Sequence, residues 1–335
     1  MQVVRSTMGA KGGASRSLSA HIQPASALIL ACAGFFVLWL VGGCWTALST
    51  GTFTQTIVKP AYWVLVASVN FWWSPVFLLV FPVLLLWSAI APADPTKRIL
   101  SRGLLTDFCW ALVRTTILVL VISLYAGFLR EMTKLYLGPL KFPLQDTPLY
   151  LKAIIVFLAS DFLYWIRHYI SHKVPILWRF HAVHHSQTEL NPFTIDRIHP
   201  VEYLLTITVT FVPMLVVTDS LGITLGFFAL RSSHDAFVHT NIRTNLGWLK
   251  YVMVTPQSHR VHHSAHDEHH DLNFGAILSI WDRLFGTHHA SYIVYPPTGI
   301  SDSAFPYEAR GVSPFNTIVQ QILYPLGVVR KRLDL

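Results

Sequence analysis

Charge is scarce in this chain. Of its 335 residues only 13% are Asp, Glu, Lys or Arg, about half of the ~25% usual in soluble domains. A water-facing surface of ordinary composition is therefore excluded. With 53% hydrophobic residues, so is disorder over most of the length. Cysteine is scarcer still: Cys32, Cys44 and Cys109 all lie in apolar stretches. That supply excludes a disulfide framework and a cysteine-ligated iron–sulfur cluster. There is no c-type haem signature and no G-x-G-x-x-G fingerprint for flavin or nicotinamide. The 25 basic residues outnumber the 17 acidic ones but are scattered and form no nucleic-acid motif. They read as positive charge beside a membrane, and no nucleic-acid partner is expected.

What the chain has instead is long apolar runs. No charged residue or histidine occurs between Ala27 and Val58, or between Pro60 and Ala93. Each run exceeds the roughly 20 residues that span a bilayer. Further apolar stretches cover Gly103–Leu129 and Leu151–Ile166, and Tyr203–Thr218 with Leu221–Leu230 reads as a shallow hairpin. Arg5, Lys11 and Arg16 precede the first run, while Lys97, Arg98 and Arg102 follow the second. The positive-inside rule puts both groups in the cytosol. The expected organisation is a disordered cytosolic tail over 1–26, a transmembrane helix pair over 27–102, a membrane-embedded catalytic region over 103–290 and a C-terminal cytosolic tail over 291–335.

The other excess is histidine: all 17 but His21 fall between His168 and His289. His168 and His172 stand four apart, which puts both on one helix face. His181, His184 and His185 form H-x-x-H-H, and His259, His262 and His263 repeat it. His270 follows. His234 and His239 stand five apart, about 140° from one another on an ideal helix. Both serve as ligands only if a π-bulge lies between them, and otherwise His239 is the anchor. These residues make a metal site. The set is too large for one ion, for which about four ligands suffice, and suits two. Imidazole accepts iron, zinc, copper or nickel, so spacing does not name the metal. Asp161, about two helical turns before His168, is expected to accept a hydrogen bond from an imidazole N–H. His199 is expected to hydrogen-bond beside the site or to anchor its loop. His266, His269, His288 and His289 are expected at the rim or surface.

The residues between the histidines carry a resemblance. Asp161 to His172, Leu177 to Ser186, Arg197 to Glu202 around His199, Phe237 to Asn241, Thr255 to Ser264, Asn273-Phe274-Gly275 and Trp281 to Thr287 resemble motifs of the fatty acid hydroxylase superfamily, also called the sterol desaturase family. About the first 100 residues carry no such resemblance. The resemblance implies an all-α fold: a polytopic membrane helical bundle with a cytosolic histidine-rich di-metal cap. It implies two iron ions, O2 as co-substrate and hydroxylation of a C–H bond in a membrane lipid. Desaturation by the same centre is the alternative. Because the chain shows no redox-cofactor motif, an external electron donor of cytochrome b5, ferredoxin or reductase type is expected. Tyr164, Trp165, Trp178 and Phe237 are candidate pocket walls.

Overall fold

The computed structural model describes residues 75–115, 147–211 and 221–327, with a few isolated positions between them. The expected 1–26 tail and first transmembrane helix lie outside the described residues. What is described is all-α. Among the described residues, β-pairing is limited to the isolated bridges Pro92–Ile242, Met253–Leu278 and Ser264–Thr298.

Helix α1 (Pro75–Ile90) is apolar on every face and contains Pro82. Leu79, Leu86 and Ile90 stand exposed along it, as suits a helix in hydrocarbon rather than water. Helix α2 (Arg102–Val113) starts where the Ser101 hydroxyl accepts from Leu104 N–H at 3.1 Å. Helix α3 (Leu149–Lys173) is 25 residues long, roughly 38 Å at 1.5 Å per residue. Among the described residues it alone is long and apolar enough to cross a membrane. Its two halves differ. Leu149, Leu151, Ile154 and Leu158 are exposed, while Asp161, Trp165, Arg167, His168 and Ser171 are buried. The first half suits lipid and the second carries chemistry.

Val174 is extended and Pro175 occupies the first turn of α4 (Pro175–His185), so the chain bends sharply after α3. Helix α5 (Pro200–Thr206) runs into a π-helical turn, Ile207–Phe211. Helix α6 (Leu221–Val238) ends beside the site. Helix α7 (Pro256–His262) opens on a capping box in which Thr255 and Ser258 exchange side-chain-to-backbone hydrogen bonds. Short α8 (Ile280–Leu284) and α9 (Pro314–Leu323) complete the helices.

The stretch beyond 290 is not a detached tail. Gln321 on α9 accepts from Trp110 Nε1 on α2 at 2.8 Å, with both residues buried. Gly299 N–H bonds His263 O, and Arg260 Nε bonds Pro296 O at 2.8 Å. Asp107, which interrupts an apolar run in the sequence, is fully buried. It accepts from Arg197 Nε, Gln187, Asn191 and Thr194 at 2.6–2.9 Å. Arg197 also pairs with Glu308. A buried charge survives only when so fully paired, and this network ties α2, the 186–197 loop and the C-terminal segment into one body.

Candidate metal centre

Two groups of imidazoles converge at the buried ends of these helices. His168, His172, His181, His185 and His262 form the first group; His184, His239, His259 and His263 form the second. Within each group the ligand-type nitrogens all lie within 4.8 Å of one another. The two H-x-x-H-H boxes divide in opposite senses. On α4 the i,i+4 pair His181 and His185 enters the first group while His184 enters the second. On α7 the i,i+4 pair His259 and His263 enters the second while His262 enters the first. Positions i+3 and i+4 flank position i on either side, about 100° apart, so the adjacent histidines of each box point to different groups and each box serves both. His168 and His172 on α3 complete the first group, and His239 at the end of α6 completes the second.

Hydrogen bonds on the outer edges set the tautomers. His168 Nδ1 donates to Phe274 O at 2.9 Å, His262 Nδ1 to Leu272 O at 2.8 Å and His239 Nδ1 to Asp235 O at 2.7 Å. His181 Nδ1 donates to Glu202 Oε1 at 2.7 Å. Carbonyl and carboxylate oxygens only accept, so the Nε2 atom of each of these neutral rings is a bare lone pair facing inward. Those Nε2 atoms are crowded. His168 and His181 approach to 3.1 Å, His181 and His185 to 3.1 Å, and His239 and His259 to 2.9 Å. Where both are bare lone pairs, as in His168 and His181, they repel unless a cation lies between them. Protons are poor candidates. Burial first, then neighbouring imidazoles, holds His184, His185, His259 and His263 well below the ordinary 6.5. Burial brings His262 and His239 to about 4. His262 Nε2 and both ring nitrogens of His263 are buried without a hydrogen-bond partner. Neutral, desolvated, convergent nitrogens are the donor set of a transition-metal site, and the residues present fit one ion in each group.

The carbonyls that brace the first group come from a shaped loop. Asp271 and Asn273 take left-handed φ of 61° and 58°, a conformation that Asp and Asn tolerate better than most residues. Asn273 Nδ2 donates to Ser258 O at 2.9 Å. Asp282 accepts from Phe274 N, Gly275 N, Trp165 Nε1 and Thr287 Oγ1 at 2.7–2.9 Å. A Cβ on Gly275 would sit 2.7 Å from Leu278 O, so only glycine fits there.

Some expected site residues are placed elsewhere. Helix α6 is regular α-helix through His234 with no π-bulge, and His234 stays out of both groups, among the backbone of Val254 and Ala276. His270 is half-exposed beyond the 267–269 turn, with Asp267 at 3.8 Å. Asp161 accepts no imidazole proton; it takes Ile277 N, Leu278 N and Trp281 Nε1 at 2.8–3.2 Å and so pins the loop leading to α8. His199 caps α5 through Val201 N–H and donates to Ile322 O at 3.0 Å, the loop-anchor reading. The residue that does receive an imidazole proton is Glu202. Its oxygen also accepts from buried Arg167. In the sequence Glu202 closes the Arg197–Glu202 stretch around His199, and spacing does not show which ring it meets. A carboxylate entering an apolar stretch was the signal that it needed a buried partner.

Among the described residues, two cavities touch the centre. A cleft of about 290 Å³ exposes the first group between His172, His185, His262, Trp178, Asp271 and Tyr324. On the other side, a chamber of about 20 Å³ touches both groups and is walled by Tyr164, Ile195, Ile198, Asp235 and Ala276. Tyr164 and Trp178 are thus walls, one of each cavity. Trp165 instead stacks on Tyr169 and Phe285, and Phe237 lies against Trp87.

Residues 153–287 match the fatty acid hydroxylase family. The matched segment covers about 40% of the chain. It holds every histidine of both groups, together with Glu202 and Asp282. The ornithine lipid hydroxylase OlsE of Rhizobium tropici is 30% identical over 142 residues, 42% of this chain and 43% of the relative. The alkylglycerol monooxygenase of Homo sapiens is 35% identical over 136 residues, 40% of this chain and 30% of the relative. A cholesterol 25-hydroxylase-like protein of Caenorhabditis briggsae is 31% identical over 112 residues, 32% of this chain and 37% of the relative. The chain thus spans less than half the length of these relatives. No solved structure matches it.

Proposed function

We propose that the chain is a multi-pass membrane di-iron monooxygenase that hydroxylates a C–H bond of a membrane lipid. The observation that carries this reading is the pairing of two adjoining groups of neutral, inward-facing imidazole nitrogens in the segment that matches the fatty acid hydroxylase family. Two iron ions held there would supply the reduction of O2 and an oxidant able to attack an unactivated C–H bond. In the net reaction one oxygen atom enters the C–H bond and the other leaves as water. Two electrons come from an external donor of cytochrome b5, ferredoxin or reductase type, and two protons come from water.

The chain's own residues supply position and environment. Glu202, held by Arg167, fixes the His181 ring and its tautomer. The 272–274 carbonyls do the same for His168 and His262. Burial withdraws both groups from bulk water. The chamber lies on the side from which α3 and α6 leave for the apolar part of the molecule, so it is the natural position for the target carbon of a lipid held among the helices. On this reading the polar cleft faces the aqueous phase, and the charge pattern of the flanking segments supports the cytosol as that phase. All three relatives named above are called hydroxylases or monooxygenases, which favours oxygen insertion over desaturation.

The test is to incubate membranes containing the protein with a lipid extract, O2 and a reductase system, and to compare product masses. A lipid heavier by one oxygen atom supports the proposal. A lipid lighter by two hydrogens shows a desaturase, and no O2-dependent product overturns both.

A further inference from the structure

A third cluster of donors lies outside both groups. His266, Glu268 and His269 bring their ligand-type atoms within 4.8 Å of one another. The 267–269 turn that carries them is fixed on all sides. Ser264 is bridged to Thr298, and Ala265 N–H bonds Pro297 O at 2.9 Å. Ser264 Oγ accepts from His266 N–H at 3.0 Å, and His269 N–H bonds His266 O at 3.1 Å. His269 is buried, and its Nδ1 is tied to Ser264 Oγ at 2.8 Å, which leaves Nε2 as its ligand-type atom. The His266 and His269 rings lie nearly parallel, 16° apart with centroids at 5.7 Å. Glu268 Oε1 is 3.5 Å from His266 Nδ1. An ion pair accounts for His266 and Glu268 but not for a buried imidazole with its ligand-type atom within 4.8 Å of both.

We propose that His266, Glu268 and His269 form a separate site for a first-row divalent cation such as Zn2+, at the rim of the cleft. Two imidazoles and one carboxylate are a recurrent protein donor set for such ions, with water filling the open positions. His266 and Glu268 are exposed to supply that water. The cluster precedes His270 and Asp271, which line the cleft mouth, so the ion sits beside the aqueous entrance rather than in the reaction chamber. None of these three side chains belongs to either inner group, and the site does not depend on what the inner groups hold.

The experiment is equilibrium dialysis of the full chain, loaded with iron in detergent or nanodiscs, against Zn2+. The double variant with His266→Ala and Glu268→Gln changes exposed side chains only and leaves buried His269 in place. The expected result is one equivalent of zinc more in the unsubstituted protein than in the variant, with equal iron in both. Equal zinc in the two proteins overturns the proposal. So does loss of iron from the variant in step with zinc, because the cluster would then not be a separate site. A protein that takes up no iron at all still reports the zinc difference, so failure of the di-iron reading is distinguishable.

Discussion

In the first group, His168, His181 and His262 each donate Nδ1–H outward to a fixed oxygen, and His172 faces Asp271 at 3.6 Å. In the second group only His239 has such a partner. The Nδ1 atoms of His184, His259 and His263 are buried without one. The two groups share helices α4 and α7 and the same imidazole chemistry, yet four of the five rings in the first have an outer partner and only one of the four in the second. Outer partners set ring orientation and raise ligand basicity. The second group should therefore hold its ion more weakly and release it first, while the first keeps its geometry with the ion gone.

The sharpest way to break this comparison is to remove the second group's one braced ligand. His239→Ala should abolish lipid oxidation and lower bound iron by one equivalent, as read by metal analysis and product formation. Retained turnover with both ions bound would show that the second group is misassigned. Next in size is Glu202→Ala, which takes the brace from His181. Iron affinity at the first group should fall by roughly 10–100-fold, read by competition with a chelator. The second group should change much less. Gly275→Ala drives a methyl group into Leu278 O and should cost about 1–3 kcal/mol of stability, as overpacking does. It should also disturb the Phe274 carbonyl and with it His168.

Acid probes both groups together. In the folded protein burial lowers His239 and His262 from 6.5 to about 4. The unfolded chain then binds more protons than the folded one between those values. Stability is fully present above about pH 6.5 and falls as the pH drops towards 4. Thermal unfolding across that window should show the decline, and iron should leave over the same range because protons compete for imidazole. The smallest effect is expected for His234→Ala. It should leave both ions bound and cost about 1 kcal/mol, the size of an ordinary substitution.

Spacing made the convergence of the inner histidines legible. An i,i+4 pair must share a helix face, and the repeated H-x-x-H-H boxes pointed to more than one ion. Spacing did not show that each box splits between two groups, because that depends on α4 and α7 meeting from opposite sides. His270 looked like a ligand by proximity in sequence. The 267–269 turn and the left-handed Asp271 carry it to the cleft mouth instead. Asp161 stands on the correct face two turns before His168, but α8 and its loop reach it first. Glu202 and Asp282 act through contacts with segments 21 and 117 residues away, so the local pattern around each does not name its partner. The 291–327 segment lacks any long apolar run, yet its scattered residues Glu308 and Gln321 complete buried networks with Arg197 and Trp110.

The most direct measurement is a structure of the iron-loaded protein in a lipid nanodisc. Two ions are predicted, one among His168, His172, His181, His185 and His262 and the other among His184, His239, His259 and His263. Stepwise chelation should remove the second before the first. A single ion, or two ions bound outside these groups, would contradict the account.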